Sequence, residues 1–155
     1  MLKYFNFDIV FQEIPNEVTL AINISNCPCK CPGCHSKFLW NDVGTDLSIT
    51  EYDRLLSSVI RDITCVCFMG GDAEPEYINQ LAEYTAWHFA PIKVGWYTGK
   101  TIISEAVNLG WLNYVKVGPY IKHLGGLKCP QTNQRLYKVI HPTQKLEDIT
   151  YLLQK

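Results

Sequence analysis

The sequence has almost no net charge, no long apolar run and no internal repeat. Fourteen Lys and Arg stand against fifteen Asp and Glu, a formal net charge of -1. That near-balance supplies no basic field, so neither nucleic acid nor an anionic membrane is expected as a partner. No apolar stretch approaches the ~20 residues that a membrane-spanning helix needs. The start, MLKYFNFDIV, has one lysine and a broken apolar run and does not read as a signal peptide. No low-complexity segment or linker divides the chain, and 155 residues is the size of one domain, so a single domain over 1–155 is expected. A chain of this length hides roughly two-thirds of its unfolded surface and can fold without staples. Disulfides are not expected either. The seven cysteines are an odd number with no visible export signal. A reducing, cytoplasmic setting fits them better, and clustered thiols there usually serve metal or redox chemistry.

What the chain does have is an alternation of elements. Residues 18–24 (VTLAINI) read as a buried strand that runs into a cysteine-bearing loop over 26–36. Thr50 with Asp53 resembles a helix-capping pair, followed by the apolar spacing Tyr52, Leu55, Leu56, Val59, Ile60. A second strand over 63–69 (ITCVCFM) closes at Gly70-Gly71, and Pro75 suits the first turn of a helix over 76–89. A strand over 92–97, a short helix over 102–109 and a strand over 112–117 come next. A polar, glycine-rich loop runs over 118–135, then a strand over 136–140 and a last helix over 146–153. This order predicts an α/β domain with a mostly parallel sheet. A closed eight-stranded barrel needs about 250 residues. An open sheet, as in a single-domain partial (β/α) barrel, is therefore expected, with a small doubly wound sheet as the alternative. In either case the loops after strands gather on one edge, and the chemistry belongs there.

The most specific feature is Cys27, Cys31 and Cys34, spaced C-x-x-x-C-x-x-C directly after the first strand. Three thiolates hold three corners of a [4Fe–4S] cluster and leave the fourth iron open to a ligand that is not protein. Pro28, Pro32 and Gly33 suit a tight wrapping loop. The alternative is a structural zinc site with Cys29 or His35 as fourth ligand. Zinc sites generally use two knuckles separated by a dozen or more residues, whereas these candidates all fall within 27–35. The spacing favours iron–sulfur. Cys29 reads as a bystander, and Cys65 and Cys67, two apart on a strand, as small buried hydrophobes sharing one face. Cys129 is given no role.

The loop CPCKCPGCHS resembles the signature of the radical S-adenosylmethionine enzymes. The wider chain, through MGGDAEP and the late VGPY, GGL and TNQR, resembles the small activating proteins of anaerobic (class III) ribonucleoside-triphosphate reductase. The resemblance implies an oxygen-sensitive enzyme with a [4Fe–4S] cluster on Cys27, Cys31 and Cys34 and S-adenosylmethionine as its second cofactor. It implies two partners, the large reductase subunit and a low-potential electron donor such as flavodoxin or ferredoxin. A Gly-Gly-acid motif is implied to bind the methionine end of S-adenosylmethionine, here Met69, Gly70, Gly71 and Asp72, where the family more often carries Glu. Two glycines let a ligand approach their amides and Asp72 could accept from its ammonium, which suits an amino acid zwitterion. Alternatively Asp72 caps the Pro75 helix. Gly33 stands where the family often has an aromatic residue, so Gly33, Cys34 and His35 are read as backbone contacts to the nucleoside, with Tyr97 and Tyr120 as possible stacking partners. In the late loop, Arg135 is read as a partner for a carboxylate of the cofactor or of the partner protein. Two further readings stay open: activation of another glycyl-radical enzyme or small-molecule radical chemistry, and a zinc-stabilised interaction module without catalysis.

Overall fold

A computed structural model describes residues 1–34 and 36–154. The described residues form one open eight-stranded sheet with two α-helices. The strands are β1 (Lys3–Val10), β2 (Thr19–Ile24), β3 (Thr45–Asp46), β4 (Cys65–Met69), β5 (Lys93–Tyr97), β6 (Tyr114–Val117), β7 (Arg135–Ile140) and β8 (Lys145–Asp148), in the spatial order β3-β1-β2-β4-β5-β6-β7-β8. The helices are α1 (Ile49–Val59) and α2 (Pro75–His88).

The expected mostly parallel sheet is corrected. β2, β4, β5 and β6 are parallel, but antiparallel strands flank them on both sides. Among the described residues, three pairings are parallel and four antiparallel. The physical reason is in the connections: at the margins the chain turns back beside itself, over 11–18 between β1 and β2, 118–134 between β6 and β7 and 141–144 between β7 and β8, whereas the interior connections cross over from one end of the sheet to the other, as parallel pairing requires. The four parallel strands are buried on both faces. Val66 and Phe68 point to the helix side, while Cys65 and Cys67 point away from it. Both cysteines are fully buried, which agrees with their reading as small apolar groups.

Local chemistry explains the helices and two failures. Tyr52, Leu55 and Leu56 give α1 one buried stripe, and each such side chain contributes about 1.5–3 kcal/mol. Its cap lies two residues earlier than expected: Ser48 Oγ accepts the Glu51 N–H at 3.0 Å, so Thr50 and Asp53 are not the capping pair. The Tyr52 hydroxyl meets Thr85 Oγ1 at 2.5 Å and ties α1 to α2. Residues 102–109 form turns, not a helix. Ile102 is 81 % exposed, and Ser104 and Asn108 use their short polar side chains to hold nearby backbone N–H groups. Residues 146–153 are not a helix either: β8 pairs with β7, and a short 3₁₀ turn, Thr150–Leu153, follows. Strand β1 escaped the sequence because a bulge between Tyr4 and Asn6 breaks its alternation.

Candidate functional site

Because β2, β4, β5 and β6 run in parallel, the segments after them share one edge. They surround a cavity of about 200 Å³. Cys27, Cys29, Cys31 and Cys34 all line it. So do Met69 at the end of β4, Gly70 and Asp72 after it, Tyr97 and Gly99 around the end of β5, and Lys116 on β6. The loops expected to gather do so.

The cysteine loop is held by its backbone. Positive φ at Asn26, Lys30 and Gly33 (60°, 44° and 76°) folds it back on itself. Asn26 N–H donates to Asn41 O and Cys27 N–H to Leu39 O, both at 2.9 Å, so the turn Lys37–Trp40 closes over the loop. Cys34 N–H donates to Cys31 O at 3.1 Å, and Ser36 N–H donates to Cys34 Sγ at 3.3 Å. Gly33 does not line the cavity. A Cβ there would lie 3.1 Å from Lys122 Cδ, so the missing aromatic side chain makes room for the late loop. His35 lies outside the described residues.

The Gly-Gly-Asp segment divides its labour. Gly70 and Gly71 both take positive φ (116° and 98°). Gly70 lines the cavity, and its carbonyl accepts from the Trp96 indole at 2.8 Å. Gly71 is buried on the helix side, where a Cβ would come within 2.7 Å of Ile78 Cγ1; it serves packing against α2. Asp72 does not cap α2, which starts after Glu74 with no side-chain cap. Its Oδ1 accepts from the Thr98 hydroxyl, and its Oδ2 accepts from Gly99 N–H at 2.9 Å and from Cys29 Sγ at 3.5 Å. Burial, then the negative charge of Asp72 and the neighbouring Cys27, push the Cys29 thiol up to about 12.

The cavity also holds residues that sequence reasoning missed. Lys116 is 7 % exposed, donates to Gly118 O at 3.1 Å and sits 5.6 Å from the Tyr97 ring centre. Burial lowers its ammonium from the ordinary lysine value, against the opposing pull of Asp72, Cys31, Cys29 and Cys67. No carboxylate lies within ion-pair distance of it among the described residues. The signal was a lysine inside the apolar run YVKV. Trp40 lines the cavity too, and its indole N–H is buried without an acceptor among the described residues.

Tyr97 and Tyr120 both line the cavity, as the stacking reading needs. Arg135 does not reach it. Its guanidinium faces Asp148 Oδ2 at 3.5 Å and Thr132 O at 3.4 Å. The rest of the TNQR segment staples the late loop: Asn133 Nδ2 donates to Pro119 O at 3.0 Å and the Thr132 hydroxyl to Gly125 O at 2.9 Å. Only Gln134 lines the cavity. Trp87 is 72 % exposed but lies at the far end of α2, away from this edge.

The donor chemistry fits an iron–sulfur group. Four thiols from one loop border one cavity, three of them in the C-x-x-x-C-x-x-C spacing, and its wall carries an indole N–H lacking an acceptor among the described residues. Among the described residues, no three His, Cys, Asp or Glu side chains meet at one ligating point. Among those residues, no helix is long and apolar enough to cross a membrane. Compared with known proteins, the chain matches no family model, no curated protein and no solved structure.

Proposed function

We propose that this chain is a radical S-adenosylmethionine activase that generates a glycyl radical on anaerobic ribonucleoside-triphosphate reductase, with a partial (β/α) barrel as its scaffold. One observation carries the reading: Cys27, Cys31 and Cys34 border the same cavity as Gly70, Asp72 and Lys116 at the carboxyl edge of the parallel strands. Cys27, Cys31 and Cys34 would hold a [4Fe–4S] cluster, which would supply the one-electron reduction of S-adenosylmethionine from which the partner's glycyl radical derives.

The chain's own residues bind and orient. Cys27, Cys31 and Cys34 supply the three thiolates. The Gly70 turn and Asp72 receive the amino acid end of the cofactor, and the Lys116 ammonium, buried with no carboxylate at ion-pair distance among the described residues, complements its carboxylate. Tyr97 and Tyr120 wall the cavity and limit water. No side chain transfers a proton. The cytoplasmic setting, the reductase partner and a flavodoxin- or ferredoxin-like donor belong to the same proposal. Anaerobic incubation with a reductant, S-adenosylmethionine and the reductase tests it. A glycyl radical signal is expected, and its absence with fully loaded protein overturns the assignment. Assays on other glycyl-radical enzymes separate the choice of substrate.

One observation favours the zinc reading: Cys29 adds a fourth thiol to the same cavity. Its hydrogen bond to Asp72 opposes that role, because it turns the sulfur toward the carboxylate. Metal analysis decides between one zinc and an iron–sulfur group.

A further inference from the structure

The proposed ligand set leaves one loop thiol over. Cys29 stands two residues from both Cys27 and Cys31. Its Sγ donates to Asp72 Oδ2 at 3.5 Å. It also fills the space beside Gly99: a Cβ at that position would lie 2.7 Å from the sulfur and 3.6 Å from Asp72 Oδ2. The other two bonds to this carboxylate come from the end of β5, from the Thr98 hydroxyl and the Gly99 N–H. A carboxylate offers about four lone-pair sites. Thr98, Gly99 and Cys29 therefore leave space for one further donor, whereas an ammonium group brings three.

The three existing donors differ in freedom. Thr98 is fully buried, and its own N–H is bonded to Lys116 O at 2.9 Å, so releasing it would disturb the sheet. Gly99 donates through its backbone. Cys29 belongs to the loop, and its bond is the one that loop movement can release.

Resting on the function proposed above, we infer that Cys29 is a latch on Asp72, closed while the loop is bare and opened when its neighbours bind metal. With the latch closed, Asp72 offers a ligand ammonium one remaining lone-pair site, and with it open, two. Drawing Cys27 and Cys31 onto a common metal group moves the residue between them and frees Oδ2. Metal loading and cofactor binding are then coupled, because the two states of one loop residue differ in their interaction with the ligand. Cys29 thus acts as a positioning residue, through Asp72.

The test is a titration with S-adenosylmethionine, under anaerobic conditions, of wild type, Cys29→Ala and Cys29→Ser, first metal-free and then loaded with iron and sulfide. In the metal-free proteins, Cys29→Ala is expected to bind about fivefold tighter than wild type, the scale of one modest hydrogen bond. Cys29→Ser keeps a donor and should match wild type. After loading, all three should bind alike. No gain in metal-free Cys29→Ala overturns the latch, and so does a gain that persists after loading. Iron counts on the same samples read the parent proposal separately. If no protein takes up iron, the radical function and the metal-driven release both fail, while a gain in metal-free Cys29→Ala still shows that Cys29 holds Asp72.

Discussion

The two ends of the parallel strands each bury a charged side chain, and they treat it differently. At the amino edge, Glu17 is 5 % exposed and fully engaged: Lys93 Nζ donates at 2.8 Å, the Tyr114 hydroxyl at 2.6 Å and the Thr64 hydroxyl at 2.8 Å. Burial alone would raise its carboxyl, but the bonds from Lys93, Tyr114 and Thr64 outweigh that and hold it below the usual range. At the carboxyl edge, Lys116 is equally buried but faces a backbone carbonyl and an aromatic ring instead of a paired carboxylate. Nearby, the Trp40 indole N–H lacks an acceptor among the described residues. At one edge the buried charge is fully paired and contributes stability. The other holds groups whose best partners are not in the chain, as a ligand site should.

The largest expected effect is at the carboxyl edge. Cys31→Ala should abolish iron and sulfide uptake, read by metal and sulfide counts after anaerobic reconstitution. Retention of most of the iron would break the ligand assignment. Next comes the amino edge. Glu17→Ala should cost about 2–3 kcal/mol in denaturant unfolding, because three donors lose a charged acceptor, while iron uptake by the folded protein stays normal. The pH sign follows from the lowered Glu17 carboxyl. Its contribution is present above the unfolded carboxylate value and is lost as pH falls through the folded value, so Glu17→Gln should flatten the acid limb of the stability curve.

Lys116→Met sharpens the contrast, because its sign is opposite. The ammonium of Lys116 is lowered by burial, so the fold pays for the protonated form at neutral pH, and this cost fades only as pH rises. Replacing it with Met should raise stability by about 1 kcal/mol. It should also weaken S-adenosylmethionine binding by loaded protein about tenfold, the scale of one charge-assisted contact. A loss of stability with unchanged binding would make Lys116 a structural residue like Glu17. The smallest effect is at Arg135. Its pair with Asp148 is long and partly exposed, so Arg135→Gln should shift stability by only a few tenths of a kcal/mol and leave iron uptake unchanged.

The interior of the fold was legible because strands buried on both faces read as continuous apolar runs, as in VTLAINI and ITCVCFM. The edges were not. β8 (KLED) is exposed throughout, and the bulge at Phe5 hides the alternation of β1. Parallel pairing was therefore visible while the antiparallel margins were missed. In the site, the cysteine spacing and the Gly-Gly-Asp turn announced themselves. The separate fates of Gly70 and Gly71 did not, since Gly71 answers to Ile78 on a helix that sequence spacing cannot bring to it. Lys116 and Trp40 were missed for a similar reason: their meaning lies in which partners the fold withholds from them.

The central claim, that three of the four loop thiols hold an iron–sulfur group, is tested most directly by iron, sulfide and zinc counts on oxygen-free wild type, Cys29→Ala and Cys31→Ala. About four irons and four sulfides per chain are expected in the first two and almost none in the third. One zinc per wild-type chain, or equal loss of iron in both variants, would contradict it.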